Sequence, residues 1–280
     1  MRAAPAAGPR RLRARAMALL VAMGAAIALL PLFLVLGYVV REGIGALNLA
    51  FFIRDPAPVG EPGGGVRNAI IGSLVINLMA SLIGVTIGVG GGIFLSEYGQ
   101  HRLAPMVRLV GDVLGGMPAI IMGLVAYELV VRPMRSFSAL AGAVALGLLM
   151  IPIVIRATES ALGMVPRELR EAGMALGLPR WRVTVSVVLP AARYGIVTGA
   201  LLALARVAGE AAPLLLTAFG NPYLSLDPTR PMDSLPLRVF VYAISPFREW
   251  HAQAWAASLV LVLLILSATL AARWMTRQRA

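Results

Sequence analysis

The chain is 280 residues long, 59% hydrophobic and only 14% charged, with a mean hydropathy of +0.83. A soluble domain carries about a quarter charged residues, so a water-facing globule is excluded. All 25 basic side chains are arginines and there is no cysteine, which rules out a lysine-bearing phosphate loop, Schiff-base catalysis, disulfides and thiolate chemistry.

A membrane-crossing helix needs about 20 apolar residues. Six runs meet or approach that length: 16–40, 68–95, 106–131, 137–158, 191–219 and 252–273. The reading is an all-α integral membrane protein with six transmembrane helices. Residues 1–15 form a basic tail holding Arg2, Arg10, Arg11, Arg13 and Arg15. The run that follows is longer than a signal h-region and lacks an obvious cleavage site, so it is read as a retained first helix. Residues 41–67 form a Pro- and Gly-rich extracytoplasmic loop, and 68–273 the remaining five helices. In the second run Gly84, Gly88 and Gly92 recur every four residues, the spacing that lets membrane helices approach closely. Asp112, near the inner start of the third run, is spaced to pair with Arg108. Arg156 ends the fourth run; it either snorkels to headgroups or faces inward.

The cytoplasmic loop 159–190 has its own helical grammar. Pro166 suits a first turn, Gly177 suits the position past a helix end, and Pro179 can begin a second helix. Two short helices joined by a Gly-Leu-Pro turn are expected. On the first, Leu169, Ala172, Gly173 and Leu176 share one face, flanked by Arg167, Arg170 and Glu171. That small, apolar face suits close approach by another protein, or else contact with the lipid surface.

The fifth run carries Arg206 and Glu210. An unpaired Arg at that depth costs at least about 2.5 kcal/mol. The two can neutralise each other at i,i+4, or line a pathway. Arg before Glu is the less favourable order. Pro213 lacks an N–H and clashes with the Gly209 carbonyl, which loosens the helix beside Glu210. Both details favour a pathway. Arginine suits a phosphate because it stays charged and forks bidentately, and Glu210 would ease release by competing for Arg206. Residues 220–251 form a second long outer loop, and Trp250, Trp255 and Trp274 sit where interfacial anchors belong. Residues 274–280 are a second basic tail. The side holding both tails and the 159–190 loop carries about twice the arginines of the other, so both termini are assigned to the cytoplasm. The arginines are too scattered to form a nucleic-acid stripe. His101 and His251 suggest no metal site, and no cofactor is expected.

Glu171-Ala172-Gly173, three residues, Gly177, nine residues, Val187, one residue and Leu189-Pro190 resembles the EAA motif of ABC-importer permeases with a MetI-like, type I fold. Gly173 stands where that motif has Ala, and Val187 where it has Ile. The resemblance implies that Glu171, Ala172, Gly173, Gly177, Leu169 and Leu176 form a coupling helix seated on a separate ATPase subunit. Arg206-Val-Ala-Gly-Glu210-Ala-Ala-Pro213-Leu is similar to the Arg-x-x-Gly-Glu-x-Ala-Pro-Leu signature of phosphate-importer permeases of the PstA type. Stretches 64–73, 112–123, 242–247 and 250–256 are similar too. This resemblance implies a non-enzymatic subunit that moves phosphate by alternating access in the bacterial inner membrane, with Arg156, Arg206 and Glu210 on its pathway. The partners it implies are a sister permease (PstC type), an ABC ATPase dimer (PstB type) and an extracytoplasmic phosphate-binding protein (PstS type). Competing readings are a permease for sulfate or molybdate, a membrane enzyme acting on lipid, and a scaffold. The enzyme lacks the usual acid–base and metal residues. The scaffold has little reason to bear the insertion cost of Arg206 and Glu210.

Overall fold

The computed structural model describes residues 7–58, 61 and 63–277. Arg2 of the expected basic tail and Arg279 of the C-terminal tail lie outside the described residues. The described helices are α1 (Ala7–Ile44), α2 (Leu49–Ile53), α3 (Arg67–Glu97), α4 (Ala104–Gly116) and α5 (Ala119–Met134). They continue with α6 (Ala139–Gly163), α7 (Arg167–Ala175), α8 (Arg180–Val207), α9 (Ala212–Leu215), α10 (Leu235–Ala243) and α11 (Arg248–Arg277). Five are long and apolar enough to cross a membrane unaided: α1 from Arg13, α3, α6, α8 and α11.

A further pair of helices is long and apolar enough only when taken together. The run expected as one span over 106–131 forms two arms, α4 and α5, that meet at 109°. Proline restricts the residue before it to extended backbone, and Met117, preceding Pro118, has φ −76° and ψ 138°. Two later prolines, Pro133 and Pro190, do not break their helices. They follow π-helical stretches, Tyr127–Val131 and Thr184–Val188. There Arg132 N–H reaches the Tyr127 carbonyl and Leu189 N–H the Thr184 carbonyl, one residue further back than in an α-helix. The wider turn shifts the carbonyl that the proline ring would otherwise strike.

The centre of the bundle is α6, whose N-terminus is capped by Ser138 accepting from Ala141 N–H at 3.1 Å. Its most extensive partner is α3. Lipid tails are as apolar as side chains, so helices associate in a membrane chiefly by close packing. Gly84, Gly88 and Gly92 supply it, as their four-residue spacing predicts. A Cβ at Gly84 would lie 2.6 Å from Met150 Cβ, one at Gly88 2.6 Å from Val154 Cβ, and one at Gly92 would strike Thr158. Ile76 and Ala80 of α3 and Leu146 of α6 share a core with Ala203 and Val207 of α8 and Leu214 of α9.

By contrast α1 is attached mainly near its C-terminal end. Tyr38 meets Trp255 edge-on at 5.0 Å, and Gly43 admits the Trp255 backbone. Its large side chains from Met17 to Val35 are exposed to the surroundings. Trp255 and Trp250, the latter 4.7 Å from Tyr242, therefore pack within the chain, whereas Trp274 is exposed, as an anchor would be.

A polar cap closes the end opposite α7. Arg67 forks onto Asp55 at 3.0 and 3.1 Å. Buried Asp233 accepts from Asn68 (3.1 Å), from Ser234 N–H (2.9 Å) and from Arg238. Ser73 Oγ accepts Leu235 N–H at 2.7 Å. Burial pushes the Asp233 carboxyl up, against the pull of the Arg238 guanidinium and those hydrogen bonds.

Candidate functional site

Two features bear on function: a cleft among the crossings and a hairpin projecting beyond them. The apolar run 191–219 does not form one helix. α8 stops at Val207, and Glu210 N–H bonds the Val207 carbonyl at 3.0 Å in a tight turn before α9. Pro213, in the first turn of α9, withholds the N–H that would have continued the helix. Gly123 of α5 holds α9 in place, since a Cβ there would lie 2.6 Å from Pro213 Cα.

The broken end opens into a cleft of about 210 Å³. Arg206 and Glu210 line it from one side, Gly115 and Pro118 at the α4–α5 corner from another, and Pro152 of α6 from a third. The expected alternative of an i,i+4 ion pair on a continuous helix is not found. Among the described residues no salt bridge joins Arg206 to Glu210, because the turn carries Glu210 off the helical path. Arg206 is exposed to the cleft and Glu210 partly so. Chemically, the site offers a guanidinium fork and a carboxylate lining one cleft.

Arg156 does not line this cleft. It lies one turn beyond Pro152 on α6, on the same helix face, where it bonds Asp112 of α4 and comes within 3.7 Å of Glu159. Glu159 in turn accepts from Arg108 at 3.0 Å. The expected Arg108–Asp112 pair is thereby corrected. Both residues reach across to α6, where each meets an opposite charge, so neither turns to the other along α4. Arg156 thus faces Asp112 on a neighbouring helix and Glu159 on its own rather than simply extending toward headgroups.

At the end of the bundle marked by Glu97 and Gly163, α7 and the start of α8 form a hairpin. Gly177 adopts φ +82°, the left-handed conformation that ends a helix, and α8 begins after Pro179, as the Gly-Leu-Pro turn predicts. The second helix is not short, however; it runs unbroken into the crossing. Gly173 is buried against Val183, and a Cβ would sit 3.0 Å from Val183 Cγ2. Its departure from Ala therefore serves close approach of the two arms. The other members of the expected face, Leu169, Ala172 and Leu176, are exposed, as is Glu171.

Arg170, expected only as a flanking charge, ties this hairpin down. It donates to the Leu162 carbonyl (2.8 Å), the Val165 carbonyl (2.7 Å) and Glu97 (3.1 Å). One side chain thus satisfies orphan carbonyls at the end of α6 and joins α7 to the end of α3. Its position beyond the last turn of a helix was the signal available in sequence. Among the described residues no group of carboxylates and histidines is arranged to hold a metal.

The family model for binding-protein-dependent transport system inner membrane components matches residues 88–279. The chain is 46% identical over 235 residues to the phosphate transport system permease protein PstA of Yersinia pestis, covering 84% of this chain and 80% of that one. It is 45% identical to its Haemophilus influenzae counterpart, with 81% and 80% covered. It is 34% identical to the probable PstA of Methanocaldococcus jannaschii, with 86% and 85% covered. In fold it is similar to an inward-facing MetNI methionine ABC transporter, with a TM-score of 0.64 at 19% identity, over 76% of this chain and 94% of that one. With five helices long and apolar enough to cross a membrane and one bent pair among the described residues, the chain belongs to the family of binding-protein-dependent transport system inner membrane components.

Proposed function

We propose that the chain is the PstA-type permease of an ATP-driven phosphate importer, forming half of the route with a sister permease of the PstC type. The relatives' names support phosphate as cargo. The observation that carries the reading is the cleft in which Arg206 and Glu210 stand unpaired at a broken helix end. Membrane-embedded backbone that is neither helix nor sheet is tolerated where it lines a cavity. A permanently charged fork there suits phosphate oxygens. Glu210, in the same cleft, competes with the anion for the guanidinium and so lets it move on.

In this reading the side bearing α7 is cytoplasmic, with both termini on it, in agreement with the arginine bias. Leu169, Ala172 and Leu176, with Glu171 beside them and Gly173 and Gly177 shaping the hairpin, seat an ATPase dimer of the PstB type. A phosphate-binding protein of the PstS type delivers to the outer cap. ATP-driven motion of α7 then alternates access to the cleft, and the anion passes Arg206 before Arg156. The test is Arg206→Gln in the assembled complex. Phosphate uptake is abolished while all subunits still co-purify, and normal uptake would sink the assignment. Phosphate, rather than sulfate, stimulates ATP hydrolysis by the native complex; the reverse result would make the cargo another oxyanion.

A further inference from the structure

The two arginines assigned to the route differ in electrostatic state. Arg206 has no carboxylate within ion-pair distance among the described residues, whereas Arg156 is covered by Asp112. Both members of that pair are about half exposed, at 54% and 57%, so an ion arriving from the cleft can reach the guanidinium. The pair also stands where the cleft ends. Pro152 is one turn from Arg156 on α6, and Gly115 and Asp112 are neighbours on one face of α4.

Carboxylate and phosphate oxygens compete for the same planar fork. An exit arginine without a competitor would retain an oxyanion through charge-assisted hydrogen bonds, and a transport site must let go. We propose that Asp112 is a positioning residue that takes back the Arg156 guanidinium from the departing anion and so sets the release step. This rests on the reading that Arg206 and Arg156 line the phosphate route. The geometry suits such an exchange. Asp112 rides on an arm that turns by 109° at Met117–Pro118, and the Arg108–Glu159 bridge at 3.0 Å tethers that arm to α6. Asp112 therefore remains within reach while the anion occupies its place.

Release toward the α7 side is read most directly as inhibition by product on that side. The complete importer is reconstituted in vesicles with inorganic phosphate varied on the side of α7, and uptake is measured at saturating binding protein. For Asp112→Asn, inhibition sets in at a phosphate concentration lower by about tenfold, the worth of one charge-assisted hydrogen bond, and the maximal rate falls. Asp112→Glu, which keeps the carboxylate, restores inhibition to near the native level. A purely structural role would lower the rate without moving the inhibition constant, and an unmoved constant in Asp112→Asn overturns the proposal. If that variant does not assemble, Asp112→Ser decides, because it too removes the carboxylate while leaving Arg156 and the Arg108–Glu159 bridge in place. It tightens inhibition in the same direction, and unchanged inhibition there overturns the proposal as well. Arg206→Gln run alongside separates the two levels. Normal uptake in that variant removes the route itself, while lost uptake with unaltered inhibition in Asp112→Asn removes only the role of Asp112.

Discussion

A guanidinium inside or beside a membrane persists only where something polar meets it, and three arginines meet that demand differently. Arg206 faces a cleft, Arg156 faces two carboxylates, and Arg238 is buried on Asp233. Replacing Arg206 by Lys keeps the charge but loses the fork, so uptake falls to a level between those of the native protein and Arg206→Gln. The Arg238 pair bears on stability instead. Asp233 is 2% exposed, and Arg238→Met strands its carboxylate at a cost of about 3–5 kcal/mol. Arg238→Met with Asp233→Leu recovers most of that loss, read by thermal unfolding in detergent. Equal melting of the single and double variants would show that the pair is not the source. Burial already raises the Asp233 carboxyl, and loss of Arg238 raises it further. A carboxyl held above its unfolded value favours the folded state while protonated and loses that contribution as pH rises. Arg238→Met therefore loses stability as pH rises above the unfolded carboxylate range, more steeply than the native protein, as pH-dependent unfolding would show.

Helix pairing depends on shape, and glycines on α3 test it with an internal control. Gly88→Leu forces a side chain against Val154 and costs about 1–3 kcal/mol. Gly90→Leu on the same helix, with nothing within 4 Å of a Cβ, leaves unfolding nearly unchanged or slightly raised, since Leu is the better helix former; comparable losses in both would mean that the α3–α6 contact is not the source. This stripe was legible in sequence because spacing alone places Gly84, Gly88 and Gly92 on one face. Pro213 pointed to a loosened helix beside Glu210, but not to the stop at Val207. The corner at Met117–Pro118 was not legible. Hydropathy sums over a run and is blind to direction, so α4 and α5 read as one span. The partners of Asp112 and Arg108 were hidden for a related reason. Spacing along a helix shows which charges can meet on it, and says nothing of the charges that a neighbouring helix brings closer. For Arg170 the sequence offers only its place beyond the last turn of α6, since backbone-carbonyl partners carry no residue-type signal.

For the molecule as a whole, the question is how force applied at one end reaches a cleft within the bundle. Arg170 fastens α7 to the ends of both α6 and α3, and these two helices pack through Gly84, Gly88 and Gly92 along their lengths. Pro152 of α6 lines the cleft, so displacement of α7 carries a cleft wall with it. Seating the ATPase and transmitting its stroke are then separate tasks on one short helix, and two substitutions should part them. Glu171 is exposed and makes no bond within the chain among the described residues. Glu171→Ala therefore leaves the permease folded and removes the ATPase subunit from the co-purified complex. Arg170→Met keeps the exposed face of Leu169, Ala172 and Leu176 but unfastens it, leaving Glu97 and two carbonyls short of a donor. That complex retains its ATPase, still hydrolyses ATP, and moves less phosphate per ATP. If Arg170→Met instead loses the ATPase while Glu171→Ala retains it with transport intact, the hairpin does not work as a seated and anchored lever.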